Sequence, residues 1–218
     1  LPNPKLVEWF RRAVQRWSVR AGREFVWRKG SASNYKRVVA EILLQRTRAE
    51  TVNTLYPSFF RSFPSWPKLA RATLRELRDS LRPLGLWNQR AKSLRRLAIV
   101  MEARKGLFPS VREEIDALPN VGQYIANSIE LFCHGRPKPL LDVNMVRVLE
   151  RFFRPRLLVD IRNDPFLQEL AQRAVDPEHP EGYNWAVLDL GALICTRSSP
   201  RCCECPLRRK CRYFRIHR

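Results

Sequence analysis

Apolar residues recur at helical spacing from one end of the chain to the other, and this period limits the possible folds more than any other feature. Leu6, Val7, Phe10 and Val14 fall on one helical face, and Val38, Val39, Ile42, Leu43 and Leu44 repeat the pattern. The same reading places helices over 49–62, 66–81, 88–104, 122–134, 143–153, 165–175 and 180–194. Proline and small polar residues punctuate the series at Ser31-Ala32-Ser33, Phe63-Pro64-Ser65, Phe108-Pro109-Ser110 and Asp164-Pro165. The only strand-like run, Leu157-Leu158-Val159, is too short to build a sheet. No repeat, low-complexity tract or long linker interrupts the chain, so the expected fold is all-α with many short helices. Its 218 residues suit one large domain or two small ones. No apolar run approaches the ~18–20 residues of a membrane span. The start, Leu1-Pro2-Asn3-Pro4, has neither an initiating Met nor an apolar signal core, and is expected to be a processed or trimmed end.

Charge narrows the class of partner. The formal net charge is +20, with 41 Lys and Arg of which only eight are Lys, against 21 Asp and Glu. With 44% hydrophobic residues the chain is globular, so this excess sits on a folded surface and suggests a polyanion, most often nucleic acid. An Arg-rich genome with solvating arginines would give the same total. An anionic membrane surface fits less well, because no compact basic block flanks an amphipathic helix.

Two short stretches carry chemistry. The first is Leu118-Pro119-Asn120-Val121-Gly122-Gln123-Tyr124, followed by a helix and then Leu141-Asp142-Val143-Asn144. A Pro-X-X-Gly turn between helices makes a tight crossing whose backbone N–H groups stand at the start of the second helix. Such groups bind phosphate without reading sequence. Asn120 is suited to the left-handed region there. Asp142 lies eighteen residues after Tyr124 and just ahead of the next helix, where it suits an N-cap. The helix dipole favours its anion. An anionic carboxylate is also what cleavage of an N-glycosidic bond requires, because that reaction passes through an oxocarbenium-like state. Position alone does not separate cap from catalyst.

The second stretch is Cys195-x6-Cys202-x2-Cys205-x5-Cys211, with Cys203 beside it and Cys133 standing alone. Nothing suggests secretion, so thiols crowded at one end point to a metal site and a reducing compartment. Four thiolates with short loops ligate zinc or an iron–sulfur cluster, and a first gap of six residues favours the cluster. Residues 195–218 also carry eight Arg and Lys against Glu204 alone, as a second phosphate contact would.

Taken together, the hairpin, the Asp eighteen residues past Tyr124 and the terminal cysteine spacing resemble the helix–hairpin–helix DNA glycosylases of the endonuclease III superfamily. Among them the closest resemblance is to the mismatch-specific thymine/uracil-DNA glycosylases. Arg23-Glu24-Phe25-Val26-Trp27-Arg28, Glu41-Ile42-Leu43-Leu44-Gln45-Arg46-Thr47 and Gly85-Leu86-Trp87-Asn88-Gln89-Arg90-Ala91 extend the resemblance over nearly the whole chain. It implies a two-domain helical fold. A six-helix domain over 31–140 would contain the hairpin, and residues 1–30 with 141–218 would form a helical domain ending in a 4Fe–4S loop at 195–211. A cleft between them would receive the extruded base.

The resemblance also implies roles. Cys195, Cys202, Cys205 and Cys211 would hold the cluster, leaving Cys203 a bystander. Tyr124 stands where bifunctional members have a Lys that attacks the sugar, and a phenol forms no imine, so a monofunctional enzyme leaving an abasic site is expected. Asp142 would stabilise the sugar cation with Asn144 supporting it, and Glu41 would line the base pocket as general acid or water-positioning group. Gln45, Arg46, Leu86 and Trp87 would enter or wedge the stack around a flipped base. Asn120, Val121, Gly122 and Gln123 would hold the phosphate. The substrate would be double-stranded DNA with thymine or uracil opposite guanine, bound by a monomer in a prokaryotic cytoplasm at the nucleoid. Glu41 equally suits an adenine glycosylase acting opposite 8-oxoguanine or guanine. Those enzymes typically have a small residue at the Tyr124 position and usually a further C-terminal domain, whereas this chain ends seven residues past Cys211. A non-catalytic DNA-binding module would explain the charge, hairpin and cysteines, but not Asp142 and Tyr124.

Overall fold

In the computed structural model, which describes residues 1–217, twelve α-helices, four three-residue 3₁₀ turns and no strand make up the regular structure of the described residues. The chain divides into two compact units. One comprises Glu24–His134, and the other joins Leu1–Arg23 to Gly135–Arg218.

The central unit contains α2 (Asn34–Leu44), α3 (Ala49–Ser62), α4 (Trp66–Arg71), α5 (Leu74–Leu81), α6 (Trp87–Ala103), α7 (Arg112–Asp116) and α8 (Gln123–His134). Helix α2 packs against α3 and α8, and α6 packs against α4 and α5. The apolar stripe predicted for α2 is its core face: Val38, Val39 and Leu43 are fully buried with Phe59 of α3 and Ile125 and Ile129 of α8. Tyr35 joins that core through its ring, and its hydroxyl donates to the Phe63 carbonyl at 2.6 Å, closing the end of α3. Burial of six large side chains at roughly 1.5–3 kcal/mol each is what holds α2 in place.

The terminal unit consists of α1 (Pro4–Ala21), α9 (Val143–Phe152), α10 (Pro165–Ala174), α11 (Pro180–Leu193) and α12 (Arg212–Ile216). Helices α1 and α9 both pack on α11, and Phe10 of α1 meets Phe152 and Phe153 at 5.0 and 5.3 Å between ring centroids. The Arg23 guanidinium and backbone N–H both reach the buried Asp189 of α11 at 2.8 Å.

The helices over 49–62, 88–104, 143–153, 165–175 and 180–194 stand within one residue of their predicted bounds. The predicted helix over 66–81 is instead two. Ala72 is extended, and Thr73 starts α5 with a full capping box: its hydroxyl accepts from Glu76 N, and the Glu76 carboxylate accepts from Thr73 N at 2.7 Å. The five-residue helices α7 and α12 lacked a long enough period to be predicted. Leu157-Leu158-Val159 forms bends, not a strand. The buried Asp164 takes the N–H groups of Leu157 and Leu158 at 2.5 and 2.7 Å, and caps α10 through Leu167 N.

Thr73→Ala removes one half of the box on an exposed helix start. It should lower unfolding free energy by about 1 kcal/mol in urea denaturation, with an unchanged m-value.

Candidate active site

Glu41 lies near the C-terminal end of α2, buried at 3% exposure in an apolar wall. A carboxylate there needs a partner, and α8 supplies one: the Tyr124 hydroxyl donates to Glu41 Oε2 at 2.8 Å. The packing of α2 on α8 brings the two together across 83 residues of sequence. Tyr124 is half-buried against the same core, so the ring is fixed by apolar contact and its hydroxyl by the hydrogen bond.

The turn before α8 has the geometry expected of it. Asn120 is left-handed at φ 59°, and Val121 N donates back to the Leu118 carbonyl at 3.2 Å. Val121 is part of the core, so its side chain is not presented to a phosphate. At Gly122 an added Cβ would meet nothing within 4 Å, so bareness there leaves room for a close approach to the backbone. Gln45 and Arg46, just past α2, are exposed. Leu86 is also exposed, at 55%, while Trp87 beside it is half-buried against the core.

In the terminal unit Asp142 is the N-cap of α9. Its Oδ1 accepts from the N–H groups of Asn144 and Met145, both at 2.8 Å, and its Oδ2 accepts from the Asn144 side-chain amide at 2.7 Å. Asn144 Oδ1 then accepts from Arg147 Nη2 at 2.8 Å, and Arg147 also donates to the carbonyls of Gly191 at 2.7 Å and Cys195 at 2.6 Å. Gly191 has a steric reason: a Cβ there would stand 2.8 Å from Asn144 Cβ. Burial pushes the Asp142 carboxyl above the usual carboxylate range, while the three hydrogen bonds and the Arg147 charge hold it down.

Cys195, Cys202, Cys205 and Cys211 line one cavity, with Arg151 and Tyr213 on its wall. Arg151 Nη1 reaches Cys195 Sγ at 3.4 Å and the Thr196 carbonyl at 2.7 Å, and its guanidinium lies over the Tyr213 ring at 4.6 Å. Burial, with the neighbouring thiols adding to it, pushes Cys205 up to about 12 and raises Cys202 and Cys211. Cys203 is exposed and outside the cavity. Among the described residues no group of three or more His, Cys, Asp or Glu side chains is arranged to hold a metal ion. The lone Cys133 is half-buried, and burial pushes its thiol up to about 12, so it is a poor nucleophile.

Arg147, Arg151 and Gly191 were not picked out from the sequence. The signal was present for the two arginines: 144, 147 and 151 form one polar stripe on α9, opposite buried Met145, Val146, Leu149 and Phe152.

The chain matches the model of the "HhH-GPD superfamily base excision DNA repair protein" over residues 39–157. It is 39% identical to the thymine-DNA glycosylase of Aeropyrum pernix, covering 96% of this chain and 92% of that protein. It is 36% identical to the thymine/uracil-DNA glycosylase of Pyrobaculum aerophilum, covering 91% and 88%. A solved thermostable thymine-DNA glycosylase superposes with TM-score 0.89 at 29% identity, over 97% of this chain and 98% of that one. Adenine DNA glycosylases match at 27–31% identity over 35–58% of their own length.

A raised carboxyl in the folded protein means that ionised Asp142 costs stability above its folded pKa. That cost disappears once pH falls below the ordinary carboxylate range. Wild-type stability relative to Asp142→Asn should therefore decline as pH rises from acid to neutral in parallel denaturant titrations. A rise would show that the hydrogen bonds outweigh burial.

Proposed function

Because the chain belongs to the HhH-GPD superfamily of base excision DNA repair proteins, we propose that it is a monofunctional DNA glycosylase. It removes thymine or uracil mispaired with guanine and leaves an abasic site. The observation that carries this reading is Tyr124, whose hydroxyl is engaged by the buried Glu41. A phenol has no amine with which to form a Schiff base, so C1′ is left to water. The similarity to thymine and thymine/uracil glycosylases over nearly their full lengths supports the pyrimidine as substrate.

Each residue has a chemical task in this scheme. The C1′–N1 bond breaks and its electron pair leaves with the base. Asp142 stabilises the cationic sugar, and as water bonds to C1′ the carboxylate takes its proton. Glu41 and Tyr124 form one hydrogen-bonded unit facing the base. Basic surface and the 119–123 turn hold phosphates, while Gln45, Arg46 and Leu86 fill the space left in the stack. Flipping costs a few kcal/mol, least at a mismatch, which favours G:T and G:U over matched pairs.

The four cysteines fit a 4Fe–4S cluster. They line a shared cavity, and a bound cation would relieve the burial that raises the thiols of Cys202, Cys205 and Cys211. Four thiolates suit zinc or a cluster, and the six-residue gap between Cys195 and Cys202 favours the cluster. When bound, the group would act structurally, folding the basic 195–217 segment into a DNA-facing loop. Purified protein should be brown and contain iron and acid-labile sulfide in equal amounts; a colourless zinc protein would overturn the cluster.

A second reading, adenine removal opposite 8-oxoguanine, is favoured by the buried acid Glu41, which could protonate a departing purine. Labelled duplexes carrying G:T, G:U or A opposite 8-oxoguanine distinguish the two when each sample is split with and without hot alkali. Breakage of the T or U strand only after alkali is the expected result. Breakage without alkali would contradict the monofunctional assignment, and breakage of the A strand alone would select the second reading.

A further inference from the structure

We propose that Arg90 is a positioning residue that clasps the loops over 44–48 and 84–87 in the shape that enters an opened base stack. The proposal rests on the glycosylase reading above and adds to it a residue that touches no DNA. Leu86 precedes α6 in the left-handed region, at φ 50° and ψ 25°, with no side-chain cap and its apolar side chain exposed. Arg46 is left-handed at φ 57° in the other loop, and Gly85 at φ 69° lies beside Leu86. Non-glycine residues avoid this region, and two at exposed loop tips persist only where surrounding structure holds them.

Arg90 supplies that hold. Its Nε donates to the Gly85 carbonyl at 3.0 Å, and its Nη1 to the carbonyls of Ile42 and Leu43 at 3.2 and 3.3 Å. Its Nη2 donates to the Gln45 carbonyl and to Thr47 Oγ1, the latter at 2.7 Å. All five guanidinium hydrogens are thereby used inside the protein. Thr47 Oγ1 donates onward to the Leu84 carbonyl at 3.3 Å, tying the loops a second time. The Ile42, Leu43 and Gln45 carbonyls are at the C-terminal end of α2, where a cation is favoured by the helix dipole. Arg46 and Leu86 thus stand exposed from two loops closed onto one fork. An arginine with no hydrogen left for phosphate differs from the many that merely add positive charge.

The test compares wild type with Arg90→Gln and Arg90→Lys. A duplex carrying 2-aminopurine beside a G:U pair reports stack opening by fluorescence, whether or not a base is cut. Single-turnover excision is followed on that duplex and on one whose uracil is an unpaired bulge. Both variants should lose on the order of 10²-fold in opening rate and in excision from the G:U pair. Lys should not rescue, because an ammonium cannot form the fork. Excision from the bulge and the salt dependence of binding should change little. Equal loss on paired and bulged uracil, no loss on either, or a reduced salt slope from a missing phosphate contact would overturn the clasp. If both variants fail to fold, Thr47→Val cuts the second tie and is read the same way. A wild-type protein that opens the stack but excises nothing would overturn the glycosylase reading, leaving fluorescence to judge the clasp. No fluorescence rise with wild type would overturn the clasp.

Discussion

Both carboxylate oxygens of Asp142 are engaged by the first turn of α9, and much of the terminal unit is arranged around that fact. The cap satisfies two N–H groups at a helix start. The Asn144 amide fixes the other oxygen, Arg147 fixes Asn144, and the same guanidinium grips the backbone at Gly191 and Cys195. The carboxylate is therefore held in one orientation by a chain of hydrogen bonds that ends at the cysteine loop. Cap and catalyst compete for different properties of one group. Hydrogen bonds and Arg147 favour the anion, and burial opposes it. A carboxylate poised this way is rigid and incompletely solvated, which suits electrostatic stabilisation of a cation.

The central unit reaches an analogous result by different means. Glu41 is buried deeply enough that only a specific partner makes its polarity tolerable, and Tyr124 is that partner. Apolar packing of α2 on α8 sets the geometry. The loops after α2 and before α6 bury Leu84 in the core but leave Arg46 and Leu86 exposed. Their left-handed residues are held by Arg90 through hydrogen bonds to backbone carbonyls, with Thr47 as a second tie.

What the sequence reveals follows the range of the interaction responsible. Helical periods, the left-handed Asn120 and the Asp142 cap are local, and all were legible. The break of 66–81 at Thr73 was legible in principle, since Thr73 and Glu76 carry the spacing of a capping box, but the apolar period ran on through it. The Tyr124–Glu41 contact spans 83 positions, so its two members were identifiable only by resemblance to relatives. Arg147 and Arg151 lie on the polar stripe of α9, a local signal, but Arg90 was hidden by abundance. In a chain this rich in arginine, Arg90 has no mark in the sequence to separate it from those that solvate the surface. The cysteines show the opposite case, a rare residue whose spacing alone brought four side chains to one cavity.

The central claim is that the carboxylate of Asp142 does chemistry beyond capping α9. Asparagine caps a helix about as well as aspartate, so Asp142→Asn separates the two functions. The direct measurement is single-turnover excision from a G:U duplex by this variant at saturating protein, with duplex affinity measured on the same preparation. The account predicts near-wild-type binding and excision slowed by at least about 10²-fold, the scale of losing one electrostatic stabiliser of a charged transition state. Full excision by a variant that binds normally would reduce Asp142 to a helix cap.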